Sequence, residues 1–447
     1  MKSDLAEDRG VTAAAVPPSD ANSLAEREAR YEKFVWDNLP RNMVANFLHG
    51  TLGQTGFRIF NAPTFLPAYL SLITGSPAMV GLALSLQQLG GVASPVVGAT
   101  LVEHRTKVLP SAMLFGTLMR LQFLGIALAG FFLKGEALVY ATLAFLFLLG
   151  VFMGPQGVAF QLLLAKVIPI SRRGQLQAWR NVVGGVVAAV LAWAAGRYIV
   201  EANLFGNGYA TTFVIAVVLT SLGLTALRVL IREPELPTAR PKSRVIDRVR
   251  EFPTLLAADR GFAHFLLATA LANGARIAAP FYILFAGQSV ELNGSTLGYL
   301  SLAYLGADTL SNLAWGAAGD RVGFRSSFIV SLALWAASIV LLINAHDLTL
   351  LLGAFIGLGA SQSGYLMSSQ TMVLEFGSRD DMAMRLAILS TVQGALSAIG
   401  PLVGGLLAAS VGYASLFWAA VVLLAAGLLV LVFLVDEPRR RRATEGR

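Results

Sequence analysis

The sequence predicts an all-α membrane protein in which twelve transmembrane helices form two six-helix bundles related by a pseudo-twofold axis. Three observations carry that expectation. The 447 residues are 55% hydrophobic and only 13% charged, with mean hydropathy +0.66, whereas a soluble domain carries roughly 25% charged residues. Apolar runs of about 20 residues, each long enough for a ~30 Å hydrocarbon core, succeed one another almost to the C-terminus. They are continuous rather than alternating, which excludes barrel strands. Finally, Gly56-Phe-Arg58-Ile59 recurs as Gly274-Ala-Arg276-Ile277 after 218 residues, and Gly98 recurs as Gly316 at the same separation.

Residues 1–42 read as a cytosolic tail. Its first 22 residues, with Pro17-Pro18, look unstructured, and Asn22–Asn38 has the charge spacing of a short amphipathic helix on the membrane surface. The spans of the first bundle, 43–231, fall near 43–73, 77–101, 108–133, 137–167, 175–199 and 209–231. Residues 232–261, with four prolines and many charges, form the one long hydrophilic connection. The second bundle, 262–435, has spans near 262–288, 294–318, 325–345, 348–375, 384–410 and 412–435, and 436–447 is a basic tail. Gly150-Val-Phe-Met-Gly154 in the fourth span is echoed by Gly353-Ala-Phe-Ile-Gly357 in the tenth. Six spans per half make equivalent helices cross in the same direction, with a binding site at the interface between halves.

Charge sets the topology. Alternate loops put about 28 of the 34 Lys and Arg on one side, leaving only Lys134 and Arg197 opposite, so both termini and the linker are expected in the cytoplasm. The net charge of +8 therefore reflects a multi-pass protein of the cytoplasmic membrane and its bilayer contacts, not nucleic-acid binding. The first ten residues are polar and lack the apolar core of a secretory signal. With no cysteine, disulfides, thiol catalysis and Cys-ligated metals are excluded. The four histidines do not cluster with acids at metal-ligand spacing, and no phosphate-cradling loop is present. No cofactor, metal or enzymatic activity is expected, and a monomer suffices.

Gly316-Ala-Ala-Gly319-Asp320-Arg321-Val-Gly323-Phe-Arg325 follows the eighth span. It resembles the G-x-x-x-D-R-x-G-x-R loop of the major facilitator superfamily, at the place of that family's second copy. The first copy is degraded: Gly98-Ala-Thr-Leu-Val-Glu103-His104-Arg105-Thr-Lys107 is one residue longer before the acid and lacks the second glycine. The resemblance covers about 43–435. It implies a secondary transporter working by alternating access, with Gly316, Asp320, Arg321, Gly323, Arg325, Gly98, Glu103 and Arg105 in a cytoplasmic gate. Gly400-Pro401-Leu-Val-Gly404-Gly405 resembles an element of the family's drug antiporters but sits in the eleventh span rather than the fifth, and reads as a packing kink.

Charges inside apolar spans mark functional sites by default. Arg58, Arg120, Arg276 and Asp308 lie well inside them. In the family, spans one, four, seven and ten line the central cavity, which puts Arg58 and Arg276 on the two axial cavity helices and Arg120 on a peripheral one, where it reads as structural. Helical spacing adds Gln54 and Asn61 to the face of Arg58 and Asn273 to that of Arg276. The eighth span contributes Tyr304 within the stripe Ser301, Tyr304, Asp308, Asn312 and Trp315; the tenth adds Gln362 and Tyr365, and the fourth Gln156. Two guanidiniums across one cavity suit a carboxylate or phosphate between them. The expectation is a small organic or phosphorylated anion as substrate, similar in geometry to the superfamily's organophosphate antiporters. Asp308 is either a partner for Arg276 or a proton-coupling site, making protons a candidate coupling ion. Alternatives are a proton-coupled exporter of drug-like or amphipathic compounds, walled by Phe65, Tyr304, Trp315 and Tyr365, and a non-transporting sensor or assembly factor.

Overall fold

The computed structural model describes residues 18–102, 105–235, 259–376 and 382–435. The first 17 residues, Glu103 and His104, most of the linker and the basic run Arg439–Arg442 lie outside the described residues. Fourteen α-helices account for nearly all of what is described: α1 Pro18–Asp37, α2 Leu39–Asn61, α3 Phe65–Thr74, α4 Pro77–Val102, α5 Leu109–Phe132, α6 Gly135–Val167, α7 Ile170–Ala194, α8 Gly208–Leu230, α9 Arg260–Gly274, α10 Tyr282–Ser289, α11 Gly294–Val322, α12 Phe324–Ile343, α13 Leu348–Met372 and α14 Met382–Phe433. Among them, nine long helical segments are apolar enough to cross a membrane by length and composition. The polar α11 and the broken pair α2–α3 bring this to eleven. The 52-residue α14 is two spans, folded back at Gly412, whose φ of +85° suits glycine. The total is twelve.

The first and seventh spans, expected as continuous helices, are both interrupted. Ala62, the residue before Pro63, is extended at φ −57°, ψ 144°, and ends α2. In the twin, Ala275–Phe281 tightens into a 3-10 turn around Pro280, joining α9 to α10. Each break falls within a few residues of its arginine, and irregular backbone at membrane depth is tolerated where it lines a cavity. In the fifth span, α7 runs on into a π-helical turn, Ala195–Val200.

Aromatic stacks fill each bundle. Phe60 packs against Phe123 and Phe213 in the first, and Tyr365 against Phe328 and Trp335 in the second. Outward faces carry exposed apolar side chains such as Leu121, Val218, Val330 and Val422, the surface a hydrocarbon solvent requires.

The halves meet along two helix pairs, α4 with the first arm of α14 and α7 with α11. The end carrying α1 and residues 231–235 is here the linker end; the opposite one is the far end. Toward the far end the contacts are close: Gly81 faces Pro401 and Gly405, Leu402 N donates to Ser85 Oγ at 2.9 Å, and Ser301 Oγ donates to Thr64 Oγ1 at 2.8 Å. At its tip, Glu201 accepts from Ser295 N at 2.8 Å, Arg197 donates to Ser295 Oγ at 2.9 Å, and Gly298 packs on the backbone of Trp193 and Gly196.

Candidate functional site

Between the bundles lies a cavity of about 440 Å³. Both broken helices border it, with α4, α6, α11, α13 and the first arm of α14. Three of its lining side chains are charged: Arg58, Arg276 and Asp308. Asn61, Gln87, Gln88, Tyr304, Gln362 and Ser397 supply further polar groups, and Phe57, Leu66, Leu84, Met153, Ile277 and Leu366 the apolar wall.

The charges are arranged otherwise than the sequence suggested. Asp308 does not partner its neighbour Arg276 in the same half. It reaches across to Arg58, whose Nη1 donates to Asp308 Oδ2 at 3.0 Å and to Thr309 Oγ1 at 3.0 Å. The reason is packing: Gly185 of α7 lets Thr309 approach so closely that the Asp308 turn of α11 is brought against the first bundle. Arg276 is left with Asn273 Oδ1 at 3.4 Å, a long contact within its own span. The two guanidiniums thus differ. Arg58 is neutralised across the interface, with its side chain 23% exposed, while Arg276 borders the cavity without a carboxylate partner among the described residues.

Six of the sequence-derived candidates border the cavity: Arg58, Asn61, Arg276, Tyr304, Asp308 and Gln362. The remaining four serve other contacts. Gln54 donates to Asn181 Oδ1 at 3.2 Å on α7. Asn273 is buried, donates to Gln393 O at 3.0 Å, and accepts from Tyr365. Tyr365 is fully buried in the aromatic stack and accepts from Gln393 Nε2 at 3.2 Å. Gln156 points into the first bundle toward Gly116 instead of the cavity. Phe65 is also fully buried, and Trp315 Nε1 is spent on Ala360 O at 2.8 Å, so the expected aromatic wall reduces to Tyr304.

Gln87 and Gln88 were missed by sequence reasoning. Gln87 Nε2 donates to Asn61 Oδ1 at 2.9 Å, tying the second span to the first beside Arg58. The signal was two adjacent amides in an apolar span. The Gly400-Pro401 kink is also part of the lining.

The described residues of the gate motif lie at the linker end. Gly323 turns the chain between α11 and α12 at φ +92°. Arg325 caps the end of α14, its Nη2 donating to Val432 O at 2.9 Å and its Nε to Leu431 O at 3.2 Å. Asp320 and Arg321 are exposed and Gly316 is loosely packed near Met367. Gly98 brings α4 onto Pro155 of α6, and Arg105 Nε returns to Leu101 O at 3.0 Å.

Residues 50–290 and 262–447 each match the family described as Major Facilitator Superfamily. No curated protein sequence matches the chain. Among solved structures, the chain is similar to the nucleoside transporter NupG at 13% identity and TM-score 0.63, covering 88% of this chain and 96% of that one. A D-xylose-proton symporter aligns at 13% identity and TM-score 0.69 over 90% and 99%. A bacterial homologue of the iron transporter ferroportin, in an inward-facing state, gives 13% and 0.67 over 88% and 98%. Identities this low speak for a shared fold alone. Matched over nearly its whole length by the family's profile and by the twelve-helix, two-bundle fold, the chain is a multi-pass membrane protein that belongs to the Major Facilitator Superfamily of transporters.

Proposed function

We propose that this transporter moves a small organic anion across the cytoplasmic membrane by alternating access, as a secondary carrier. The observation that carries the reading is Arg276: a guanidinium bordering the cavity with no carboxylate partner among the described residues. Asp308 cancels Arg58, so the three charged lining groups sum to +1. An anionic head on Arg276, with polar contacts from Gln362 and Tyr304, would leave its apolar part against Phe57, Leu66, Met153 and Leu366. Contact between halves at mid-depth and at the far end, with the positive-inside orientation, supports an inward-facing state.

Direct binding tests this. Purified protein screened by thermal shift against organic anions yields a ligand, and Arg276→Ala abolishes its binding while Arg276→Lys keeps a part. Unchanged affinity in Arg276→Ala overturns the reading.

One observation favours a second reading, proton-coupled export of an amphipathic compound. The Arg58–Asp308 bridge joins the halves, and a proton on Asp308 would dissolve it. Asp308→Asn separates the readings: loss of proton-driven flux with exchange retained favours coupling through Asp308.

A further inference from the structure

Four lysine and arginine side chains are buried among the described residues, and two of them have a carboxylate partner while two do not. Lys166, 6% exposed, pairs with Glu233 at 2.6 Å, and Arg385, 4% exposed, pairs with Asp259 at 2.6 Å. Arg120 on α5 and Arg180 on α7 are as deeply buried, at 6% and 4%, yet neither has a carboxylate partner among the described residues. The Arg120 Nη1 donates to Gly116 O at 2.7 Å, inside its own helix. Arg180 donates to the neutral Gln177 Oε1 at 3.3 Å. The Nε of both is buried without a hydrogen bond.

The two lie in one region of the first bundle, away from the transport cavity. A Cβ placed on Gly116 would stand 3.1 Å from Arg120 Nη1 and 3.1 Å from Gln156 Oε1, so these atoms flank one point. One turn along α6 from Gln156 is Phe160. Arg180 lies over its ring at 5.0 Å and His49 of α2 packs on it at 4.7 Å. His49 feels the charges of both Arg120 and Arg180. Its Nδ1 and the Gln156 Oε1 are likewise buried without a hydrogen bond. A side chain at residue 50 would collide with Arg180 Nε, so Gly50 is what lets the arginine cross α2 into the bundle.

An arginine cannot shed its proton to escape burial, and a buried cation left unpaired is strongly destabilising. Four helices here converge two guanidiniums, an imidazole and an amide, with no acid among them. We propose that the interior of the N-terminal bundle binds a small inorganic monoanion of the halide class, held by Arg120 and Arg180 with His49 and Gln156 beside it. The close walls, Phe160 on one side and Leu224 over Gly116 on the other, suit a monatomic ion rather than an organic acid. Gln156, with its amide turned over, presents its NH2 to the ion. None of the four groups borders the transport cavity, so the ion acts as a structural counter-charge of one bundle and is not cargo.

Thermal unfolding of the full-length protein in detergent tests this, with sodium chloride exchanged for sodium gluconate at constant ionic strength. Halide raises the midpoint by about 5 °C in a saturable manner, and bromide gives an anomalous diffraction peak between Arg120 and Arg180. Arg120→Met and Arg180→Met, which remove charge but keep volume, lose the halide-dependent shift, whereas Arg276→Ala retains it. Equal midpoints in chloride and gluconate overturn the proposal, as does a full halide shift in Arg120→Met. If the methionine variants do not fold, the bromide peak in the wild type decides: density at this place supports the site, and its absence there overturns it.

Discussion

Gly298 offers a way to push the two bundles apart at one end without disturbing either. A Cβ at this position would stand 2.7 Å from Trp193 O and 3.4 Å from Arg197 N and Gly196 Cα. All three atoms belong to the opposite half. The penalty of Gly298→Ala therefore falls on the arrangement in which α7 and α11 touch at the far end, and not on the folding of the second bundle. Overpacking by one methyl group against backbone costs about 1–3 kcal/mol, which shifts a two-state equilibrium by a factor of about 5–150 toward the arrangement with separated far ends. Because the chain has no cysteine, spin labels can be attached at Lys134→Cys and His346→Cys, exposed far-end positions in opposite halves, with no other change. Their distance distribution in Gly298→Ala gains a longer component that wild type lacks. A distribution identical to wild type, with a lowered unfolding midpoint, would refute the reasoning, since the cost would then be borne by the fold.

Further outcomes follow from the ion pairs. Asp308→Asn releases Arg58 and raises the cavity charge from +1 to +2, so anion affinity measured by titration calorimetry rises about tenfold. A lowered affinity would instead make the carboxylate part of the binding site. Glu233→Gln strands the buried Lys166 and removes the cap from the first amide groups of α5, lowering stability by about 3 kcal/mol in thermal unfolding. Adding Lys166→Met to that variant restores most of the loss.

What the sequence conveyed was periodicity and duplication. The Gly-x-Arg-Ile repeat put Arg58 and Arg276 at matching depth on the two axial helices, and the structure breaks both helices beside them. It could not convey which partner Asp308 takes, because that depends on how closely α7 lies on α11, a matter of Gly185 meeting Thr309 across the halves. Helical spacing also gave Gln156 and Tyr365 the right spans but not the right faces. Arg180 is not among the sequence-derived candidates: it lies only five residues into its expected span, and nothing in the sequence shows that it turns inward across Gly50. Lys166 and Arg385 were hidden in the same way, since a charge at a span end looks the same in sequence whether it snorkels or is buried.

The segment joining the bundles is fastened at both of its ends. Asn42 exchanges hydrogen bonds with the backbone of Arg232 at 2.8 and 3.1 Å, and Glu233 seats on Lys166 and the start of α5. On the other side, Asp259 caps α9 through Phe262 N at 3.0 Å and pairs with Arg385. Each bundle thus completes its own terminal bonding before the connecting residues begin. Among the described residues, the halves are therefore held together by helices in side-by-side contact, over and above the chain that connects them. A protease site inserted between 236 and 258, or the two bundles produced as separate polypeptides from one operon, should still yield an assembled carrier, held by α4 against α14 and α7 against α11.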